Sequence, residues 1–384
     1  MGIVIDYTKG FFEAAPSGET VGDISTGTLD LSSGNVFSYT PTADTTFVFN
    51  NPPASGTAQG FTLKVTGADV VSGYDLANAS YDSKSFYAGG QEGNPEGLAF
   101  SSDGTKMYVS GEISDYLYQY SLSTAWDVST ASYDSVSFDP TAQGVNPYCI
   151  RFKPDGTSLF IILNDQDTIF QYTLSTAWDL STASYASKSF SVSTQENNPI
   201  GMSFANSGTK LYVIGNTNDT VYEYTLSTAW DISTASYTSN SFSVAAQDGL
   251  MFSVFMLEDG TKMFTGGFGT DVIYQYSLST AYNVSTASYD NVSFSVSSQL
   301  PSLFEIAFKP DGSKMYVAGS GNDTIYQYTT GTSAPATFTY PASVDWAGGT
   351  APDAPADGET DVLSFYTTDG GTTYYGFQVG DAMA

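Results

Sequence analysis

The sequence lacks histidine altogether and contains one cysteine, Cys149, and one arginine, Arg151, in 384 residues. Without histidine no Ser-His-Asp or Cys-His nucleophile can form, and the usual ligand sets for zinc are incomplete. A single cysteine cannot form an internal disulfide, so stability has to come from packing. We therefore expect no catalytic residue, no bound metal ion and no cofactor.

Basic side chains are also scarce, with 11 Lys and Arg against 40 Asp and Glu and a net charge of −29. Nucleic-acid binding needs clustered Lys and Arg, and anionic membranes attract basic segments. No run approaches the roughly 18 apolar residues of a membrane span, and Met1–Tyr7 lacks the pattern of a signal peptide. We expect a soluble chain made in a cytoplasm, without a nucleic-acid partner or membrane insertion.

Aromatic residues, in contrast, make up 15% of the chain, and many recur in an internal repeat of 52 residues. The segment Leu-Ser-Thr-Ala-Trp begins at Leu122, Leu174 and Leu226, and its variant ending in Tyr begins at Leu278. Ser-Phe pairs recur five times at the same step, the first at Ser85. A fixed step without insertion or deletion implies one structural unit in five equivalent environments.

Each unit contains four segments with the pattern of short strands, which in the first complete copy are 97–101, 106–109, 116–120 and 132–138. An Asp-Gly turn follows the first segment and supplies the positive φ that a tight hairpin needs. In 116–120 tyrosine alternates with other residues, which is the period of a half-buried strand. Four antiparallel strands in about 50 residues is the size of a propeller blade, so we predict an all-β protein.

The number of blades follows from counting these segments. The first three strands occur five times, in the spans 97–120, 148–172, 200–224, 252–276 and 304–328. The fourth strand also occurs five times, but its first copy, Asn78 to Phe86, precedes the first complete trio. We predict a closed five-bladed β-propeller in which this early strand completes the last blade, because closure removes exposed edges. An open arc of five units is the alternative.

The flanks do not share the repeat but contain further alternating strands. We predict that 1–70 and 331–384 form one discontinuous β-sandwich or jelly-roll base, with the propeller at 71–330 inserted into it. We expect Phe61–Val65 and Thr337–Tyr340 to be the two arms of one hairpin whose tip became the propeller. Insertions favour such sites, where the chain leaves and returns at neighbouring positions.

The flanks also carry four motifs: NNPPASGT at 50–57, PASVDWAGGTAP at 341–352, DVLSFYT at 361–367 and DGGTTYYGF at 369–377. Together they resemble a small β module of structural proteins from tailed bacteriophages, notably marine ones, in tail-fibre-like or virion-surface proteins. In that module the two halves are close in sequence, so this chain departs from it by carrying a propeller between them. The blade motif KPDGSKMYV at 309–317 resembles propeller repeats of bacterial surface proteins. The flank resemblance implies a virion location, with other virion proteins as partners of the base, and no particular activity.

The aromatic residue that ends each Leu-Ser-Thr-Ala segment has two interpretations. A ring of such residues could stack on sugars: Trp126, Trp178, Trp230 and Tyr282, with Tyr74 in register. However, the chain enters the propeller before a fourth strand and leaves after a third, so we expect the base on this face. We therefore interpret these residues as structural, with packing from blade to blade.

Two polar series recur in every blade at turns of the opposite face. They are Gln91, Gln143, Gln195, Gln247 and Gln299, and Asp115, Asp167, Asp219, Asp271 and Asp323. Residues that are identical in all units fit the formation of turns and the capping of backbone amides. Calcium binding is the alternative for the Asp series, although each turn offers one carboxylate where calcium takes six to eight oxygens.

Positions that differ between blades are better candidates for a ligand site. They include Glu92, Glu96, Met251 and Leu300 on the connections between blades. The candidate ligand-binding residues on this outer face are Tyr148, Phe252, Phe304, Phe268, Glu112 and Asp165. Exposed aromatics on loops of a rigid scaffold suit carbohydrate or protein recognition, and ordinary loop variation is the alternative.

The only arginine and one glutamate suggest a pair inside the ring. Arg151 lies on an innermost strand, and Glu305 occupies the register of Cys149 on another. We expect Arg151 and Glu305 to pair in or near the central channel.

From the resemblance of the flanks we expect a non-enzymatic phage virion structural protein, a tail fibre or surface fibre on the virion surface. It would present the propeller to a host-surface glycan or protein receptor, and it could form a homo-oligomer. One alternative is a capsid decoration or head-fibre protein. A second is a glycan-degrading propeller enzyme with two carboxyl groups about 5–9.5 Å apart, although no pair stands out from the repeat.

Overall fold

The computed structural model describes residues 5–6, 11–12, 21–24, 26–41 and 43–383 of the chain. The chain divides into two compact units. Unit 1 consists of Met1–Ser72 together with Ser333–Ala384, and unit 2 is Gly73–Thr332. Among the described residues, no helical segment has the length and hydropathy of a membrane span.

The first part of unit 1 consists of short strands. They are β1 (Ile5–Asp6), β2 (Phe11–Phe12), β3 (Val21–Asp23), β4 (Thr28–Asp30), β5 (Val36–Tyr39), β6 (Thr45–Thr46), β7 (Val48–Asn50), β8 (Gln59–Thr66) and β9 (Asp69–Ser72).

Unit 2 follows with a regular series of strands. They are β10 (Ser80–Tyr87), β11 (Gly97–Phe100), β12 (Lys106–Ser110), β13 (Leu117–Leu122), β14 (Ala131–Phe138), β15 (Pro147–Phe152), β16 (Ser158–Leu163), β17 (Thr168–Leu174), β18 (Ala183–Ser191), β19 (Pro199–Ala205), β20 (Lys210–Gly215), β21 (Thr220–Leu226), β22 (Ala235–Ser243), β23 (Met251–Met256), β24 (Lys262–Gly267), β25 (Val272–Leu278), β26 (Ala287–Ser295), β27 (Leu303–Phe308), β28 (Lys314–Gly319) and β29 (Thr324–Thr329). Single 3₁₀ turns lie between them at Leu76–Asn78, Val128–Thr130, Asn164–Gln166, Leu180–Thr182, Asn206–Gly208, Ile232–Thr234 and Val284–Thr286.

The chain then completes unit 1. The strands of this part are β30 (Thr332–Pro335), β31 (Phe338–Thr339), β32 (Val344–Trp346), β33 (Thr360–Thr367) and β34 (Tyr374–Met383). Strands β9 and β30, which precede and follow unit 2, pair with each other, so the chain leaves and returns at neighbouring positions.

Unit 2 consists of five antiparallel sheets of four strands, which we number blades I to V. Blades I to IV take consecutive strands: β11–β14, β15–β18, β19–β22 and β23–β26. Each innermost strand contacts the innermost strand of the next blade, and β27 contacts β11, so the ring is closed. The five-bladed β-propeller predicted from the repeat is confirmed.

Blade V closes the ring with strands from both ends of unit 2. Its three inner strands are β27, β28 and β29, and its outermost strand is β10. The pairing is antiparallel, with Ser85 opposite Tyr326 and Tyr87 opposite Thr324. The early fourth strand therefore completes the last blade, as predicted, and the open arc is excluded.

The outermost strand of every blade carries a β-bulge. The residues at the irregularity have a positive φ and are Ser83, Ser135, Ser187, Ser239 and Asn291. The register of each outermost strand shifts at the same place. A bulge twists an exposed edge away from the flat geometry that would accept another strand, so the rim of the ring is protected against aggregation.

Hydrogen bonds of buried tyrosines join neighbouring blades. The Tyr108 hydroxyl of blade I donates to the Trp178 carbonyl of blade II at 2.6 Å, and Tyr316 of blade V donates to the Trp126 carbonyl of blade I at 2.7 Å. The interface between blades V and I, where the ring closes, therefore has the same hydrogen bond as the interface between blades I and II. These hydrogen bonds offset the cost of burying the tyrosine hydroxyls away from water.

Unit 1 has a six-stranded mixed sheet in the order β3-β5-β8-β33-β34-β32, and two short parallel pairs, β4–β7 and β6–β31. The core lies between the sheet and these pairs. Phe61 and Phe365 of the sheet stack at a ring distance of 4.9 Å, and Phe49 of β7 packs edge-on against both.

The expected hairpin of Phe61–Val65 with Thr337–Tyr340 is wrong. Phe61–Val65 pairs with 361–365 of β33 on one side and with β5 on the other, whereas β31 pairs with β6. The alternation of Leu363 and Phe365 places two apolar side chains on the core face beside Leu63. Pairing with the eight-residue β33 lets β8 bury more apolar surface than pairing with the two-residue β31 would.

Candidate functional site

Five equivalent residues of unit 2 surround one end of the central channel. We call this end the upper face, and it carries the second-to-third turns and the connections between blades. The five residues lie next to the first residue of each innermost strand and form an inner ring: Glu96, Tyr148, Ile200, Phe252 and Phe304. Four residue types occupy the five equivalent positions, so the ring does not have the same chemistry in every blade.

The half of the ring at blades IV and V is aromatic. Phe252 lies 4.8 Å from Phe304 and stacks on Phe268 at 4.8 Å between ring centroids. Phe268 meets Phe304 edge-on at 5.3 Å, and Tyr148 lies 6.3 Å from Phe304. Phe252 is buried and the other three are half-buried, so their rings form the surface of this end of the channel.

The half of the ring at blades I and II carries acids. The Tyr148 hydroxyl donates to Glu112 Oε2 at 2.8 Å, and the Asn94 side chain donates to Glu112 Oε1 at 3.1 Å. The backbone N–H of Glu112 donates to Glu96 Oε2 at 3.0 Å. Four residues of the inner ring and the two turn residues that contact them form what we call the mouth cluster: Glu96, Glu112, Tyr148, Phe252, Phe268 and Phe304.

Glu96 is the acid of the inner ring, and it is 2% exposed. Burial raises the pKa of Glu96 to about 9; the negative charges of Glu112 and Glu92 also raise it, and the hydrogen bond from the Glu112 N–H lowers it. Glu96 is therefore a neutral carboxylic acid at pH 7. It can donate an O–H hydrogen bond, which an ionised carboxylate cannot.

A row of amides continues the polar half towards blade III. The Asn164 side chain donates to Asn198 Oδ1 at 2.5 Å and to the Pro199 carbonyl at 2.9 Å, and Asn198 donates in turn to Asn216. Asn164 and Asn216 occupy the register of Glu112 and Phe268. Sequence analysis missed them because Asn is common in turns, although the 52-residue register of Glu112 would have identified both.

The structure brings together five of the six candidate residues named from the sequence. The sixth, Asp165, has no hydrogen bond to the mouth cluster among the described residues. Its carboxylate accepts from the backbone N–H of Val145 at 2.8 Å and from the Gln166 side chain at 2.8 Å. Asp165 fixes the turn next to the connection that precedes blade II, so its placement favours a structural role.

Exposed apolar side chains extend the upper face outwards. Tyr87 lies at the end of β10, Ile113 in the second-to-third turn of blade I, and Leu250 in the connection before blade IV, and all three are exposed. They lie in three different blades, and apolar side chains scattered singly over a surface are ordinary, so they do not define a second site. Sequence analysis missed all three because isolated apolar residues in loops carry no periodic signal.

The repeated glutamines and aspartates of this face hold the backbone and tyrosines in place. Each glutamine accepts a hydrogen bond from the buried tyrosine of its blade, as Gln247 does from Tyr276 at 3.0 Å. The aspartates have a positive φ, and Asp271 accepts from the backbone N–H groups of Ser302 and Leu303 at 2.7 and 3.1 Å. Among the described residues, no group of three or more Cys, Asp or Glu is arranged to hold a metal ion.

The repeated Trp and Tyr residues of the opposite, lower face pack between neighbouring blades. Trp126 lies 5.5 Å from Phe100 of its own blade and 6.3 Å from Tyr316 of blade V. Its backbone N–H donates to the Gly104 carbonyl at 3.0 Å. Gly104 has a φ of +70°, and a Cβ at this position would lie 2.3 Å from the indole of Trp126. The same arrangement recurs in the other four blades, at Gly156, Gly208, Gly260 and Gly312.

A cavity of about 160 Å³ opens at the lower end of the channel. Its walls include Trp126, Trp178, Phe255 and Phe308, and Arg151 lies at its polar side. The cavity exists because Ala99 and Ala307 are small in the register of Arg151 and Phe255.

An ion pair joins two innermost strands, β15 and β27, across the channel. Arg151 Nη1 lies 3.0 Å from Glu305 Oε2, and Nη2 lies 3.1 Å from Oε1. The Ser253 hydroxyl donates to Glu305 Oε1 at 2.6 Å, and the Cys149 thiol lies 3.4 Å from Oε2. Burial raises the pKa of the Cys149 thiol, so the thiol stays protonated and unreactive. The pair expected from the register of Arg151 and Glu305 is present.

No family model and no curated protein sequence matches the chain. Among solved structures, a candidate 6-phosphogluconolactonase from Bacteroides uniformis is similar with a TM-score of 0.40 and 14% identity, over 63% of this chain and 70% of that one. A protein of unknown function from Desulfotomaculum acetoxidans has a TM-score of 0.40 and 12% identity, over 63% of this chain and 84% of its own. Similarity at this level carries no argument about function.

Proposed function

We propose that the chain is a non-enzymatic binding protein that recognises carbohydrate at the mouth cluster. The observation that carries the proposal is the division of this cluster. The packed rings of Phe252, Phe268 and Phe304 form one half, and the hydrogen-bonding groups of Glu96, Glu112 and Tyr148 form the other.

A sugar ring matches such a surface chemically. One face of a pyranose is lined with C–H groups that pack on aromatic rings, and its edge carries hydroxyls that donate and accept hydrogen bonds. The half-buried Glu112 can accept a hydrogen bond from a sugar hydroxyl, and the buried Glu96 holds Glu112 in place by accepting from its backbone N–H. The five-bladed ring supplies a rigid support, which lowers the entropic cost of binding.

The experiment is a glycan array followed by calorimetric titration of the best ligand. We expect Phe304→Ala and Phe268→Ala each to weaken binding about tenfold, the effect of losing one stacking contact of roughly 1.4 kcal/mol. The matched control is Tyr185→Ala, an exposed aromatic on the outermost strand β18. Equal affinity of all three variants and the wild type would refute the mouth cluster as the site.

Incubation of the protein with the best glycan ligand tests the claim that the protein is not an enzyme. Glu96 and Glu112 are two neighbouring carboxyl groups, one protonated, which is the type of pair that glycoside hydrolysis requires. We expect the bound glycan to be recovered intact by chromatography after long incubation. Release of shorter saccharides that stops in Glu96→Gln would assign the chain to the hydrolases.

We further propose, from the resemblance of the flanks to a module of phage virion proteins, that unit 1 attaches the chain to a phage particle as a tail or surface fibre. Electron microscopy of intact particles with gold-labelled antibody tests the location. We expect label on the tail; label on the capsid would favour a decoration or head-fibre protein. Particles without label, from a lysate that contains the chain, would refute a virion location.

A further inference from the structure

Unit 1 exposes a group of large apolar side chains on one face of its six-stranded sheet. The exposed fractions are 40% for Tyr366, 46% for Tyr375, 45% for Phe377 and 53% for Val379. Tyr375 and Phe377 alternate along β34 and so point to one side, and Tyr366 is the cross-strand partner of Tyr375. Val379 follows them at a bulge in the register. We call these four residues the sheet patch.

The sheet patch lies on the side of the sheet opposite the core. On β33, Leu363 and Phe365 are buried at 1% exposure, and Ser364 and Tyr366 point the other way. In an ordinary antiparallel sheet with one solvated face, that face carries polar side chains. Three adjoining exposed aromatics on such a face are the composition of an interface rather than of a solvated surface.

The charge distribution decides which partner fits. The whole chain carries a net charge of −29, so two copies repel each other over most of their surfaces. The outward side of β33 and β34 carries uncharged residues at Val362, Ser364, Tyr366, Tyr375 and Phe377. The neighbouring strands place one charge on each border of this area, Lys64 opposite Val362 and Asp345 opposite Tyr375. The two bordering charges are of opposite sign, so two copies can meet here with fewer like charges in contact than over the rest of the acidic surface.

The area of the patch is consistent with a weak pair. An aromatic side chain has about 200 Å² of surface, so three half-exposed aromatics and a valine offer roughly 350 Å² in each copy. Two copies together offer about 700 Å² at the patch, below the roughly 1,000 Å² of a stable specific interface, so the contact belongs to the weak, transient class. We expect a dissociation constant in the micromolar range or weaker for a contact of this size.

We propose that the sheet patch is the interface at which two copies of this chain associate through a twofold axis. In such a contact each copy supplies the same surface, so one apolar patch serves both partners. The pair would present two propellers, and two mouth clusters, from one assembly.

Sedimentation of the intact chain from about 1 to about 200 μM, a range that brackets micromolar affinity, tests the proposal. We expect monomer at the low end and dimer at the high end, with more dimer in about 1 M salt because salt screens the repulsion of like charges. We expect Phe377→Glu to remain monomeric throughout. The matched control Val48→Glu places the same charge at another exposed apolar position of unit 1 and should dimerise like the wild type.

A second variant distinguishes loss of the interface from loss of the fold. Tyr375→Ser and Phe377→Ser together remove apolar surface without adding charge, and circular dichroism and the melting temperature establish that unit 1 is folded. We expect this double variant to lower the association constant of the dimer at least tenfold. A wild type that is monomeric under every condition, or variants that associate as strongly as Val48→Glu, would overturn the proposal.

Discussion

Arg151 and Glu305 form a two-point ion pair across the central channel, from blade II to blade V, with nitrogen–oxygen distances of 3.0 and 3.1 Å. The same carboxylate accepts from Ser253 of blade IV at 2.6 Å. One buried carboxylate thus connects three of the five blades. A buried charge of this kind is stable only while all of its partners are present.

Replacing Arg151 by alanine is expected to destabilise unit 2 by about 3 to 5 kcal/mol, because Glu305 would remain buried without its counter-charge. Tryptophan fluorescence during urea unfolding measures the effect, since Trp126, Trp178 and Trp230 lie in unit 2. The control is the apolar double variant Arg151→Met with Glu305→Leu, which should lose much less. A loss under about 1 kcal/mol in Arg151→Ala would show that the pair contributes little.

Glu96 should make the stability of unit 2 depend on pH. Its pKa is raised from 4.5 to about 9 in the folded chain, so the folded state keeps a proton that the unfolded chain releases between these values. The free energy of unfolding should therefore fall as the pH rises through this window. Urea unfolding of wild type and Glu96→Gln at about pH 5, 7 and 9 measures the difference. Glu96→Gln should flatten the dependence, and the exposed Asp345→Asn should leave it unchanged; identical slopes in all three would contradict the burial argument.

Gly104 should tolerate no side chain. Alanine there would have to adopt a φ near +70° and would place its Cβ against the Trp126 indole, so we expect a loss of at least about 2 kcal/mol. Gly90 is the matched control, because it has open space around it and no positive φ. Thermal unfolding of Gly104→Ala and Gly90→Ala provides the comparison. Equal melting temperatures would show that the Asp-Gly turn adapts.

The mouth cluster predicts one bound ligand for each chain. Its aromatic half lies at blades IV and V only, whereas the Trp and Tyr ring of the lower face is repeated in all five blades. Calorimetric titration with the best glycan should therefore give a stoichiometry near one. A stoichiometry near five would instead place the ligand at the repeated residues.

The architecture of unit 2 could be predicted from the sequence because its information is repeated. The 52-residue step fixed the limits of each blade, and the early copy Asn78 to Phe86 indicated how the ring closes. Unit 1 has no such redundancy. Its pairs β4–β7, β5–β8 and β6–β31 are parallel, and parallel partners lie far apart in the chain without a local turn signal. Phe61–Val65 was assigned the wrong partner because its antiparallel partner, 361–365 of β33, is separated from it in the sequence by the whole of unit 2, with no turn signal to connect the two.

The candidate site was predicted in part. Tyr148, Phe252 and Phe304 share one register, so the ring geometry that unites them follows from the repeat. Phe268 and Glu112 share another register. The repeat alone does not show that these turn residues contact the inner ring; the structure does. Asp165 has the same residue type as a ligand-binding acid but caps the Val145 amide. Chemistry alone does not distinguish an acid that binds a ligand from one that fixes a turn.

The closure of blade V by β10 has a consequence for how the chain folds. The five outermost strands have nearly the same sequence, so β10 meets several edges that resemble its own during folding. A strand from one molecule can equally complete blade V of another, which is the route to swapped multimers in repeat proteins. Dilute refolding should therefore favour the single ring, and crowded refolding should trap exchanged chains that dissociate only after unfolding.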